Sequence, residues 1–210
     1  MMACVLGALV VSGQAADKGK AISLFNGKDL SNWTPKKAGA WVVKNGLIQP
    51  SAKPGGYIWA DGSYENFELE LEFKMSKRCN SGVFFRTDPN NPVQGGFEIQ
   101  ILDSYGKAKV GKHDCGALYD ARQPSSNPTK PAGEWNQMKL TVNGASVKVV
   151  LNGKQVVDAD LDQWTTPRKN PDSSRNKFRT ALKDLPRTGS IGLQYHGQPV
   201  WFKNLKLKKL

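Results

Sequence analysis

The chain has 210 residues, and its 30 lysines and arginines against 18 aspartates and glutamates give a net charge of +12. The basic residues are scattered, and the densest stretch, Arg168 to Arg187, is interrupted by Pro171, Asp172, Asp184 and Pro186. With no helix-turn-helix, zinc-finger or RNP-like pattern, the excess charge reads as a solvated basic surface and not as a nucleic-acid interface.

At the N-terminus an apolar run from Ala3 to Val11 is followed by Gly13, Ala15 and the first charge, Asp17. That layout predicts a secretory signal over residues 1–15, cleaved after Ala15, and a periplasmic or secreted protein. Nothing in the chain approaches the roughly 20 apolar residues that span a bilayer, so no transmembrane segment is expected. Residues 16–21 form a short lead-in, and 22–210 suffice for one domain with a real core. Export leaves Cys79 and Cys115 in an oxidising compartment, either as one disulfide or as two small buried thiols.

Asn-Gly pairs stand at Asn26-Gly27, Asn45-Gly46, Asn143-Gly144 and Asn152-Gly153, a dipeptide suited to the positive φ angles of tight hairpin turns. Trp41–Val43 and Leu47–Gln49 flank the second pair as a hairpin. Phe67 to Phe73 alternates strictly, with Phe67, Leu69, Leu71 and Phe73 on one face and Glu68, Glu70 and Glu72 on the other. The segments 138–142, 147–151 and 155–158 form a three-stranded meander. The closing strand runs from Trp201 to Leu207, with a slight break in its alternation. Helical periodicity is scarce, and 176–185 is the best candidate. About a dozen short strands without intervening helices predict an all-β, two-sheet antiparallel jelly-roll sandwich.

Three further strands carry polar chemistry at period two: Asn80 to Arg86, Phe97 to Asp103, and Gly192 to His196. Their open faces offer Arg86, then Glu98 with Gln100, then Gln194 with His196. These groups bind hydroxyls and move protons, which predicts a polar site across a sheet face and an oligosaccharide or glycoside as partner.

The order of motifs is informative. Ser23-Leu-Phe-Asn-Gly-Lys-Asp-Leu-Ser-Asn-Trp33, Asn80-Ser-Gly-Val-Phe-Phe-Arg86, Glu98-Ile-Gln-Ile-Leu-Asp103, Lys130-Pro-Ala-Gly-Glu-Trp-Asn136, Leu151-Asn-Gly-Lys154 and Ile191-Gly-Leu-Gln-Tyr-His-Gly197 resemble, in sequence order, the bacterial 3-keto-disaccharide hydrolase family. That family is also described as 3-keto-glucoside 1,2-lyase/2-hydroxy-glucal hydratase. The resemblance runs from about Ile22 to Leu210 and implies a concanavalin-like jelly roll whose concave sheet binds carbohydrate. Cys79, Tyr195 and the basic 168–187 insert depart from the family pattern.

A 3-keto group acidifies the proton on carbon 2, so the oxygen on carbon 1 can leave by β-elimination. The protein must then supply a base, a cation or donor for the enolate oxygen, and an acid for the leaving oxygen. His196 is assigned as base, since an unperturbed imidazole titrates near pH 6.5. Glu98 is assigned as acid, and Arg86 as the cation. Substrate contacts are assigned to Asn80, Gln100, Asp103 and Gln194, with Trp135 stacking on a sugar ring. Trp59 and Trp164 are further stacking candidates, and core packing competes for all three tryptophans. His196 as a loop cap and Glu98 as the partner of an Arg86 salt bridge are the structural alternatives.

Two other functional readings compete. A non-catalytic carbohydrate-binding module would use the same face, and a conventional glycoside hydrolase would use the glutamate row. Retaining hydrolysis wants carboxyls about 5–5.5 Å apart, closer than alternate residues of a flat strand stand. No cofactor motif is present and no metal ligands are assigned. A divalent metal remains an alternative at His113 and Asp114 or at Asp158, Asp160 and Asp162, though neither pattern is a standard ligand set.

Overall fold

A computed structural model describes residues 19–51 and 56–210. The predicted signal segment, 1–15, lies outside the described residues. Among the described residues thirteen strands run in chain order: β1 (Ala21–Ser23), β2 (Trp33–Pro35), β3 (Trp41–Lys44), β4 (Leu47–Pro50), β5 (Tyr57–Ala60), β6 (Phe67–Met75), β7 (Asn80–Thr87), β8 (Phe97–Leu102), β9 (Trp135–Asn143), β10 (Ser146–Leu151), β11 (Lys154–Asp160), β12 (Ser190–Gln194) and β13 (Val200–Lys209). The larger sheet has the order β11-β10-β9-β6-β13-β4-β3, with β1 paired to β13. The smaller has the order β2-β5-β12-β7-β8, and all pairings are antiparallel. This is the expected all-β two-sheet jelly roll.

Alternation decides which side chains fill the space between the sheets. Phe67, Leu69, Leu71 and Phe73 of β6 meet Val83, Phe85, Ile99 and Ile101 of β7 and β8 in one apolar cluster. Each such burial contributes roughly 1.5–3 kcal/mol. Outside, Glu68 and Glu70 pair with Lys139, and Glu72 pairs with Lys203. The glutamate row is thus a solvated, ion-paired face of the larger sheet.

Besides the register shift opposite Val149 and Val150, where Val156 and Val157 of β11 are both buried, two bulges break the alternation. Between Lys203 and Lys206, β13 places two residues opposite one residue of β6, and Asn204 takes φ 54°. That extra residue is the break in the closing strand, and it returns Leu205 and Leu207 to the core. In the same way β7 places Phe85 and Arg86 opposite Ile191 alone, with Arg86 at φ 46°. The second bulge has functional consequences.

Hairpin chemistry is as read at Asn45-Gly46 and Asn152-Gly153, where both residues have positive φ. At Asn143 the loop is shifted by one, because Asn143 pairs with Ser146 and the turn is Gly144-Ala145. Asn26 makes no hairpin; its side-chain Oδ1 accepts the backbone N–H groups of Lys28 and Asp29 in a loop between β1 and β2. The helix considered for 176–185 does not form. A 3-10 turn covers Leu182–Asp184, and the backbone N–H groups of Lys177 and Arg179 tie the segment to the side chains of Asp120 and Gln94 in neighbouring loops.

Candidate functional site

The outward face of the smaller sheet is built in rows. Register places Trp59 (β5) beside Gly192 (β12), Gly192 beside Phe84 (β7), and Phe84 beside Glu98 (β8). The next row runs from Tyr57 to Gln194, and Gly82 stands beside Gln100. Beyond β8 the 116–119 segment continues the surface: the N–H of Gln100 donates to Ala117 O and that of Tyr119 donates to Glu98 O. Leu118 turns into the core, leaving Tyr119 on the side of Glu98.

Two glycines make this floor. A β-carbon at Gly82 would overlap the Glu98 carboxylate, and one at Gly192 would overlap the Trp59 indole. Glycine at each point lets a large neighbour lie flat across the strand. Trp59 stacks on Tyr57 with centroids 5.4 Å apart, and Phe84 meets both rings edge-on.

Glu98 is 6% exposed. Its Oε2 stands 3.9 Å from Lys177 Nζ, an ion pair too long to be a hydrogen bond. Burial pushes the Glu98 carboxyl up to about 7, and the nearby Lys177 only partly opposes the shift. Burial likewise lowers Lys177 from the ordinary lysine value, with Glu98 and Asp120 working the other way. Lys177 Nζ lies 3.8 Å above the Tyr119 ring. Gln100 donates from Nε2 to Asn80 Oδ1 at 3.1 Å, while its buried Oε1 has no partner among the described residues. The floor therefore combines an aromatic platform, an amide pair, a carboxyl titrating near neutrality and a cation.

Glu98, Gln100, Asn80 and Gln194 occupy the face expected for them, and Trp59 joins them. His196 is exposed in the loop between β12 and β13, two residues beyond Gln194, and its ring makes no hydrogen bond among the described residues. Its neighbour Tyr195 turns inward, edge-on to Trp41 at 6.4 Å, and its N–H donates to Gly56 O.

Three expected site residues are elsewhere. The left-handed bulge sends Arg86 off this face, and its fully buried guanidinium donates to Glu65 O, Gly144 O and Asn66 Oδ1 at 2.8, 2.7 and 3.0 Å. It ties the smaller sheet to the β9–β10 turn of the larger one. It makes no salt bridge with Glu98. Asp103 lies one residue past β8, where Oδ2 accepts the N–H of Arg78 at 2.7 Å and fixes the β6–β7 turn. Trp135 stands on the outer face of the larger sheet, with Lys203 and Lys74 at 4.1 and 5.2 Å from its ring. Trp164 is buried, donating from Nε1 to Asn170 Oδ1.

The residues weighed as metal ligands have other partners. His113 pairs with Asp120 at 3.0 Å, and Asp114 with Lys107 at 2.8 Å. Asp158 pairs with Lys148, Asp162 with Arg187, and Asp160 accepts the N–H of Asp162. A cavity of about 730 Å³ near Arg122, Asp158, Trp164 and Asp172 shares no lining residue with the floor.

Sequence reasoning missed Lys177 and Tyr119. Lys177 sits in the basic insert, with its N–H donating to Asp120 Oδ2 and its carbonyl accepting from Gln94 Nε2. The available signal was the pairing of Lys177 with Phe178 in an otherwise polar stretch, a weak one.

Fold and floor together define a jelly-roll protein with an aromatic and acidic surface on the outer face of its smaller sheet, an arrangement suited to a hydroxyl-rich ligand. The chain belongs to the 3-keto-alpha-glucoside-1,2-lyase-like domain family, whose model matches residues 20–208. It is 31% identical, over 90% of its length and 78% of the relative's, to a 3-keto-disaccharide hydrolase of Bacteroides thetaiotaomicron. A crystal structure from Parabacteroides distasonis, described as a candidate glycosyl hydrolase, superposes with a TM-score of 0.83 at 35% identity, covering 91% of this chain and all of that one. The Bacillus licheniformis beta-glucanase, at TM-score 0.54 and 11% identity over 93% of this chain and all of that one, shares the fold alone.

Proposed function

We propose that this protein cleaves 3-keto-glycosides by elimination across carbons 1 and 2 followed by hydration. The observation that carries the reading is Glu98: a carboxyl buried on an aromatic-flanked floor and held near 7 by that burial. Such a group delivers a proton at neutral pH, which an ordinary surface glutamate does not. Family membership supplies the substrate class. In this mechanism a base removes the carbon-2 proton, and the C–H electron pair moves toward the ketone to give an enolate. The enolate then collapses, the bond from carbon 1 to the glycosidic oxygen breaks, and Glu98 protonates the departing oxygen. Water adds to carbon 1 and a proton returns to carbon 2.

His196 is proposed as the base. Its exposure at the end of β12 and its ring, free of hydrogen bonds among the described residues, leave it available to substrate. Gln194, Gln100 and Asn80 are proposed to hold sugar hydroxyls, with Trp59 and Tyr57 as the stacking platform. Export with cleavage after Ala15 completes the proposal, and intact mass of secreted protein checks it. Glu98→Gln and His196→Ala test the chemistry. Each is expected to lower kcat on a 3-keto-disaccharide by about 100-fold or more, with sugar binding largely kept. Undiminished turnover in both would remove this assignment, and binding without turnover in the unaltered protein would favour a carbohydrate-binding module.

A further inference from the structure

We infer that Lys177 is the catalytic cation of this site, donating to the oxygen on carbon 3 as it becomes an enolate; the inference rests on the elimination reading above. That reaction needs a positive group beside the acid, and Arg86 cannot fill the role from between the sheets, where its guanidinium donates to Glu65, Asn66 and Gly144.

Lys177 has the required placement. Its backbone is clamped from two sides, by Asp120 at 2.6 Å and by Gln94 at 3.0 Å, and Gln94 also accepts the N–H of Arg179. The side-chain end is not clamped. Nζ rests on the Tyr119 ring and faces Glu98 at 3.9 Å, with no hydrogen bond to any described residue. An ammonium has three donors, and this one keeps them for a ligand. At 3.9 Å apart, Nζ and Oε2 are placed to serve two different oxygens of one sugar ring, those on carbons 3 and 1.

The electron count balances without an oxidant. The carbon-2 proton goes to the base, and the C–H pair becomes the carbon 2–carbon 3 double bond of the enolate. Lys177 donates a hydrogen bond to the oxyanion and keeps its proton. When the enolate collapses, its charge leaves with the glycosidic oxygen, which Glu98 protonates. In a low-dielectric site, a fixed cation aimed where charge develops lowers the barrier far more than it strengthens ground-state binding. The unoxidised sugar carries a hydroxyl at carbon 3 and develops no such charge, so Lys177 also selects for the oxidised substrate.

The test uses Lys177→Met, and Lys177→Cys in a Cys4→Ser background. Cys79 and Cys115 are fully buried, so 2-bromoethylamine modifies the introduced thiol and rebuilds a lysine-length amine. Removing the cation should lower kcat on a 3-keto-disaccharide about 100-fold or more while KM moves less than about threefold, and aminoethylation should restore at least roughly a tenth of the unaltered rate. Turnover by Lys177→Met within about threefold of the unaltered protein overturns the role of Lys177 and leaves the elimination reading standing. Loss of activity that complete aminoethylation, verified by mass, does not rescue also overturns it, since the charge was then not what mattered. Failure of the unaltered protein to cleave the keto-sugar overturns the reading and this role together.

Discussion

Glu98 lies across Gly82 of the neighbouring strand, and the absence of a β-carbon at position 82 is what permits it. Gly82→Ala is therefore expected to displace the carboxylate while leaving the ladder between β7 and β8 paired. Turnover should fall by an order of magnitude or more, with far-ultraviolet circular dichroism unchanged and thermal stability lowered by only about 1–3 kcal/mol, the range for overpacking a close contact. Full activity in a folded Gly82→Ala protein would show that the carboxylate need not rest there.

The burial of Glu98 makes stability depend on pH in a defined direction. Its carboxyl titrates near 7 in the folded chain, against an ordinary value of 4.5. The folded state thus binds the proton more tightly. The resulting stabilisation is fully present below pH 4.5 and is lost as pH rises through 7. The stability difference between the unaltered protein and Glu98→Gln should shift by up to about 3 kcal/mol from pH 4 to pH 8, to the detriment of the unaltered protein. Denaturant melts of both proteins at the two pH values measure this. Catalysis that needs the protonated acid should decline over the same upper limb, above about pH 7.

Arg86 predicts the opposite phenotype from a catalytic residue. Arg86→Met removes the guanidinium donor from two backbone carbonyls and leaves Asn66 Oδ1 with the Gly144 N–H alone. The expected loss is about 3 kcal/mol or more, or roughly 6–12 °C in Tm for a chain of this size. The fraction still folded at low temperature should turn over substrate nearly as well as the unaltered protein. Selective loss of kcat with unchanged Tm would return Arg86 to the active site.

The cysteines supply an independent check. Cys79 and Cys115 are both free and buried, and burial pushes their thiols up to about 12 and about 11. Both are expected to resist iodoacetamide in the native protein and to react after unreduced denaturation. Recovery of no free thiol at those two positions after unreduced denaturation would demonstrate a disulfide instead.

Much of the fold was legible because period-two alternation leaves a direct imprint, as in β6, where every second residue enters the core. The faces carrying Glu98, Gln100 and Gln194 were legible for the same reason. Arg86 was misplaced because one left-handed residue reverses parity, and a non-glycine residue at positive φ carries no mark in the sequence. Trp135 obeys its own alternation, but parity does not say which sheet a strand joins. Lys177 was invisible on other grounds. It reaches Glu98 from a loop with no repeat, held by hydrogen bonds to Asp120 and Gln94 that span 57 and 83 residues.

Elimination from an oxidised sugar exchanges the proton on carbon 2 with solvent, and deuterium records that exchange. The protein is incubated in D2O with a 3-keto-disaccharide and, separately, with its unoxidised parent, and the products are read by NMR and mass spectrometry. The account predicts cleavage of the keto-sugar alone, with one deuterium on carbon 2 of the released keto-monosaccharide beyond that of a protein-free control. Cleavage of the parent, or release of a keto-monosaccharide with no deuterium at carbon 2, would contradict it.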